Sequence, residues 1–171
     1  MQFKFFKYMT GAVAALLLLA SCEKKDYPVG LPEYEHHYYL AYLPNNNTQV
    51  NVQRTQTALL KFPVQFYSAY TRNYDAIGQY QIVTDGIANP AVAGQDFNIV
   101  DKDGNAIQPV DGKYSFTFAK AQRRTDTIYV KMLNNPAPGT RKMEVQIVEN
   151  KTNDYYVDIF STAFRRPVEI R

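Results

Sequence analysis

Across residues 58–67 apolar and polar side chains alternate, with Leu60, Phe62, Val64 and Phe66 on one face and Lys61, Pro63 and Gln65 on the other. A period of two marks a half-buried strand. Pro63 has no amide hydrogen to give to a ladder, so the pattern predicts a sheet edge or a bulge there. The same alternation returns at 113–118 (Tyr114, Phe116, Phe118 inward), 125–132 (Ile128, Val130, Met132) and 141–149 (Met143, Val145, Ile147). Shorter strands are predicted at 38–43, 48–54, 79–84, 96–100, 155–160 and 168–170. Between them lie residues that tolerate tight turns: 45–47, Asp85-Gly86, 101–105, Asp111-Gly112 and 134–139. Residues 68–78 read as a loop in which the spacing of Tyr70, Tyr74 and Ile77 allows one short helical turn. No long amphipathic helix is written anywhere, so the expectation is an all-β, immunoglobulin-like antiparallel sandwich over residues 38–171.

The start of the chain follows another rule. Lys4 and Lys7 precede an uncharged apolar run over residues 9–20, the charged-then-apolar layout of a secretion signal. The run is about 12 residues, against the roughly 20 that a membrane-spanning helix needs. It closes on Leu19-Ala20-Ser21-Cys22, which resembles the lipobox of bacterial lipoproteins. That resemblance implies cleavage before Cys22 and lipidation of Cys22, so residues 1–21 are expected to be a signal peptide and membrane contact to run through that lipid. Residues 22–37, with charges, Pro28, Gly30 and Pro32 and no period, read as a flexible tether. On this reading His36 and His37 are solvated linker residues, since neighbours on an extended chain point to opposite sides. The acidic and basic residues after Cys22 resemble the surface-export signals of Bacteroidota lipoproteins. The expected location is therefore the cell outer membrane, with surface and periplasmic faces both open.

Composition narrows the field. The chain has 19 Lys and Arg against 16 Asp and Glu; without Lys4 and Lys7 of the leader the count is 17 against 16. The basic doublets are scattered, so a nucleic-acid partner is not expected. Cys22 is the single cysteine, which leaves no disulfide and no second thiol for catalysis or zinc. The 14 Tyr and 10 Phe, with no Trp, supply a core rich in rings.

Thr84-Asp85-Gly86-Ile87-Ala88, followed by Ala93-Gly94-Gln95-Asp96-Phe97, resembles the signature of Calx-β domains with residues 89–92 inserted. The aromatic strand and the Ile/Val strand downstream fit the same family, and the likeness covers roughly residues 80–149. Asp85, Gly86, Gly94 and Asp96 are expected to do structural work in turns, Gly94 through a backbone angle that side chains resist and Asp96 by accepting loop amides. The resemblance also implies calcium. Calcium takes six to eight oxygens, several from carboxylates, yet the family's acidic cluster is replaced here by Asn134-Asn135. Asp101, Asp103 and Asn105 have no glutamate closing a calcium loop. No metal or cofactor is expected.

An enzyme is the least favoured class, because the chain offers no phosphate-cradling loop and no Ser/His/acid set with a histidine inside the domain. The leading expectation is a non-catalytic lipid-anchored envelope protein that contacts an outer-membrane protein. The alternative is a glycan-binding lipoprotein accessory to a glycan-import system, its rings drawn from Tyr34, Tyr38, Tyr39, Tyr42, Tyr67, Tyr70, Tyr74, Tyr155 and Tyr156. Asp126-Thr127-Ile128 resembles a Bacteroidota O-glycosylation motif.

Overall fold

The computed structural model describes residues 37–69, 71 and 73–171; Cys22, Tyr34, Tyr70, the leader and most of the tether lie outside the described residues. The described chain forms strands β1 (His37–Tyr42), β2 (Val50–Val52), β3 (Leu60–Ser68), β4 (Ala76–Val83), β5 (Phe97–Val100) and β6 (Tyr114–Phe118). They are followed by β7 (Arg123–Met132), β8 (Arg141–Val148), β9 (Asn150–Lys151), β10 (Tyr156–Ile159) and β11 (Arg165–Ile170). These make two sheets, a six-stranded one in the order β5-β7-β3-β1-β10-β9 and a five-stranded one in the order β2-β11-β8-β4-β6. The fold is an all-β sandwich of the immunoglobulin type.

The alternating strands bury the faces that their pattern marks. Phe62, Val64 and Phe66 of β3, Ile128, Val130 and Met132 of β7, and Met143, Val145 and Ile147 of β8 are all in the core. Across the sandwich Phe66 stacks on Phe118 of β6, with centroids 4.6 Å apart and planes 15° from parallel. Tyr38 of β1 leans on Phe66 from the side at 5.2 Å.

Several features depart from the pattern. Pairing is antiparallel except that β1 runs parallel to β10 and β2 parallel to β11. Pro63 lies inside the sheet, between β7 and β1, with no bulge in the register. Its carbonyl accepts the Leu43 amide at 2.9 Å, just past the last β1 pair, Tyr42 with Val64. The missing donor thus faces the point where β1 ends, so the absence falls on the last pair, which keeps one of its two bonds, and not on the middle of the ladder.

β4 begins at Ala76, inside the stretch expected to be loop. Ala76, Gly78 and Tyr80 form its inward face, and a Cβ on Gly78 would stand 2.5 Å from Cδ1 of Leu40 and 3.1 Å from Cε2 of Phe118. Small residues here make room for large ones opposite. The turn at Asp111-Gly112 has φ of +48° and +75°, and Val110 and Lys113 exchange both backbone hydrogen bonds across it at 2.9 and 3.0 Å. This is the two-residue turn that suits the twist of a hairpin.

One cation is built into the core. Arg166 faces inward on β11 and is 4% exposed. Its guanidinium lies 4.5 Å from the centre of the Tyr42 ring. It donates to the Asn46 carbonyl, to Asn46 Oδ1 at 3.0 Å and to the Pro44 carbonyl at 2.6 Å. Burial pushes the guanidinium below its ordinary value, and it pushes the Tyr42 hydroxyl up. That hydroxyl stays neutral and donates to the Val145 carbonyl at 2.9 Å.

Candidate functional site

The alternation that sends Tyr38, Leu40 and Tyr42 into the core sends His37 and Tyr39 to the outer face of the six-stranded sheet. Register then decides their neighbours. Tyr39 lies opposite Tyr67 of β3, and the parallel pairing with β10 sets Tyr156 opposite His37 and Asp158 opposite Tyr39. Phe160, just past β10, donates its amide to the Leu40 carbonyl at 3.3 Å and completes the group.

The rings form one row. The Tyr156 and His37 centroids are 4.8 Å apart, those of His37 and Tyr39 4.6 Å, and those of Tyr39 and Phe160 5.1 Å. Tyr67 meets Phe160 edge-on at 6.3 Å, and the Arg123 guanidinium sits 5.7 Å from the Tyr67 ring. His37 Nε2 lies 3.1 Å from Asp158 Oδ2. Phe160 is 38% exposed and the other rings are half-buried. Burial, and then hydrogen bonding to Glu149, raise the Tyr156 hydroxyl above its ordinary value, so it remains a protonated donor. From Tyr156 to Phe160 neighbouring planes lie within 36° of parallel. The ring faces are largely turned toward one another, whereas a sugar stacks on a free face. What the row presents outward is ring edges, hydroxyls and one guanidinium.

Of the tyrosines expected to meet a glycan, Tyr39, Tyr67 and Tyr156 share this row, and Tyr38 and Tyr42 are buried in the core. Tyr38, Tyr74 and Tyr155 meet elsewhere: Tyr38 donates to the Tyr74 hydroxyl at 2.6 Å, and Tyr74 stacks on Tyr155 at 5.9 Å. Sequence reasoning passed over His37, placed in the tether, and Phe160. His37 is in fact the first residue of β1.

The residues singled out in turns occupy separate places. Gly86 has φ +73° in a turn closed from Ile87 to Thr84 at 3.2 Å, next to exposed Asp85. Gly94 has φ +80° and donates to the Phe97 carbonyl at 2.9 Å. Asp96 is buried, and its two carboxylate oxygens accept the Val92 amide and the Asn135 side-chain amide, both at 2.7 Å. An amide donor therefore stands against Asp96, and Arg54 braces the same loop by donating to the carbonyls of Asn135, Ala137 and Gly139.

Asp101 likewise accepts the backbone amides of Asp103 and Asn105 and the Asn105 side chain, each at 2.9 Å. Among the described residues no three His, Cys, Asp or Glu side chains gather into a group that could hold a metal ion. The calcium implied by the Calx-β resemblance does not fit these donors. The Asn105 side chain, followed by its backbone amide, holds the Asp101 carboxyl below the ordinary aspartate value. Because the folded value is depressed, whatever this turn adds to stability is present at neutral pH and fades as pH falls through that value. Asn105→Ala is expected to move the Asp101 titration, followed by carboxyl-carbon NMR, upward toward that of an ordinary aspartate.

No protein-family model matches the chain, and no curated protein sequence does. Solved structures do. The chain is similar to the apo form of the Calx CBD1 domain at 12% identity, covering 78% of this chain and 97% of that one, with a TM-score of 0.47. It is similar to a two-domain protein of unknown function from Bacteroides fragilis at 13% identity, covering 83% of this chain and 47% of that one, with a TM-score of 0.50. A type III cohesin module from the cell-surface anchoring scaffoldin ScaE of Ruminococcus flavefaciens is similar at 9% identity, covering 81% and 90%, with a TM-score of 0.46. These likenesses concern the sandwich fold.

Proposed function

We propose that this chain is a non-catalytic lipoprotein of the outer membrane, anchored through a lipid on Cys22, that acts as a protein-interaction module. Its recognition surface is the row of rings on the outer face of the six-stranded sheet. The row itself carries this reading: Tyr156, His37, Tyr39, Phe160 and Tyr67 are contiguous and ringed by Asp158 and Arg123. An outer sheet face that only meets water is normally polar. Tyr, Phe and Arg are the residues enriched in the buried centres of protein interfaces, and stacked rings lose little conformational entropy on docking. Support for the anchor comes from Leu19-Ala20-Ser21-Cys22 and the apolar run before it.

The full chain, recovered from detergent-solubilised outer membranes, is expected to bring down a stoichiometric membrane-protein partner. Tyr39→Ala combined with Phe160→Ala should reduce that recovery by about tenfold or more, with labelled palmitate still incorporated. Cys22→Ser should abolish the palmitate label. Recovery of the chain alone would overturn the interaction reading, and a label that survives Cys22→Ser would overturn the anchor.

A further inference from the structure

Each sheet leaves two outer edges, and three of the four are closed or too short to pair. β5 is covered by the hairpin after it, through the Val100–Ala106 bridge and the Ile107 amide on the Ile99 carbonyl at 3.0 Å. β2 has three residues and β9 two. β6 is different: five residues, Tyr-Ser-Phe-Thr-Phe, with no charge and no proline, among the described residues paired on one side with β4 and met on the other only just before Tyr114, where Val110 bonds to Lys113. Sheet edges are usually guarded by charge, proline or brevity.

The direction of the β6 backbone groups follows from β4. The Ile77 amide donates to the Tyr155 hydroxyl at 2.9 Å, and the Ile77 carbonyl accepts from Asn150 Nδ2 at 2.7 Å. Both partners lie on the side of β4 away from β6. Ile77 is opposite Thr117, so this is a pair without mutual hydrogen bonds, and the register alternates from there. Tyr114, Phe116 and Phe118 bond to β4, whereas the amides and carbonyls of Ser115 and Thr117 point out from the edge.

The space beside that edge is shaped. Phe118 sits over Phe66 of β3, so β7 and β5 project past β6 in the opposite sheet. Arg124 and Asp126 share the inward parity of Ile128, Val130 and Met132, yet both are exposed, while their cross-strand partners Phe66 and Val64 are buried. At the Tyr114 end an apolar groove of about 390 Å³ opens, lined by Ile82, Pro90, Val92, Phe97, Pro109 and Tyr114. Val110, next in the chain to Pro109, is 76% exposed.

We propose that the β6 edge accepts one extended segment of a partner protein as a sixth strand of the smaller sheet. The segment bonds to Ser115 and Thr117, passes over Arg124 and Asp126, and sets an apolar side chain into the groove. A single strand adds about 4.8 Å of sheet, which suits the opening beside β6 over the exposed Arg124–Asp126 end of β7. A second copy of this chain does not suit it, because edge-to-edge joining at β6 would drive the projecting β7 and β5 of both copies together. Strand addition of this kind takes its affinity from main-chain bonds and its specificity from alternate side chains.

The test selects displayed random peptides on the full chain in detergent. Selected peptides are expected to alternate apolar and polar residues and to slow hydrogen exchange at the Ser115 and Thr117 amides. Thr117→Pro removes only an outward donor, a place where proline is tolerated, and should weaken the selected peptides by about tenfold, the value of one hydrogen bond. Asp126→Lys, an exposed change, should alter which peptides are selected. Failure to select any peptide, equal binding to Thr117→Pro with its melting temperature unchanged, or slowed exchange only on the ring row would overturn the proposal. So would Ser115 and Thr117 protected by self-association.

Discussion

Phe66→Ala is expected to cost about 3–5 kcal/mol of unfolding free energy, measured as a fall in the denaturant midpoint at constant slope. The ring is 1% exposed, stacked on Phe118 at 4.6 Å and flanked by Tyr38 at 5.2 Å. It is therefore the contact that joins the two sheets where β3 passes under β6. Removing it leaves a hole lined by rigid rings, which collapse poorly, so the cost belongs at the upper end of the usual range. Domains of this size are held by roughly 5–15 kcal/mol in total, so the variant should be close to unfolding at body temperature. Phe66→Leu refills most of the volume and should recover more than half of the loss.

Arg166→Ala is expected to cost about 3 kcal/mol, since a buried acceptor left without a donor costs about 1–3 kcal/mol and a desolvated cation over a ring contributes about 2 kcal/mol. The acceptors are the carbonyls of Pro44 and Asn46, and the ring is that of Tyr42. Arg166→Lys should restore less than half, because one ammonium cannot lie flat on Tyr42 and reach both carbonyls. Arg166→Met separates packing from charge: it refills the space over Tyr42 and leaves the carbonyls unpaired. A methionine variant as stable as the native chain would show that the guanidinium serves only as bulk.

The strands that alternate strictly were legible, because at β3, β6, β7 and β8 burial on one face is the dominant force and the pattern records it. The start of β4 was not. Ala76 and Gly78 look like loop residues until Leu40 and Phe118 are known to need the space opposite. Pro63 was misplaced because a sequence shows that a donor is missing but not which neighbour would have wanted it. Arg166 reads as half of a charged doublet; only its inward parity on β11, beside Tyr42, makes it part of the core. The ring row was legible by halves. Tyr39 and Tyr67 have outward parity on their own strands, but Tyr156 and Phe160 join them through the parallel β1–β10 pairing, which no local pattern encodes.

That pairing governs when the chain can fold. His37 and Asp158 are 121 positions apart, and β2 likewise waits for β11, so the first strands to leave the ribosome find their parallel partners among the last. Closing such long loops is slow, because the entropy is spent before the contacts return it. A nascent chain wired in this way cannot complete either sheet until its last strands have been made.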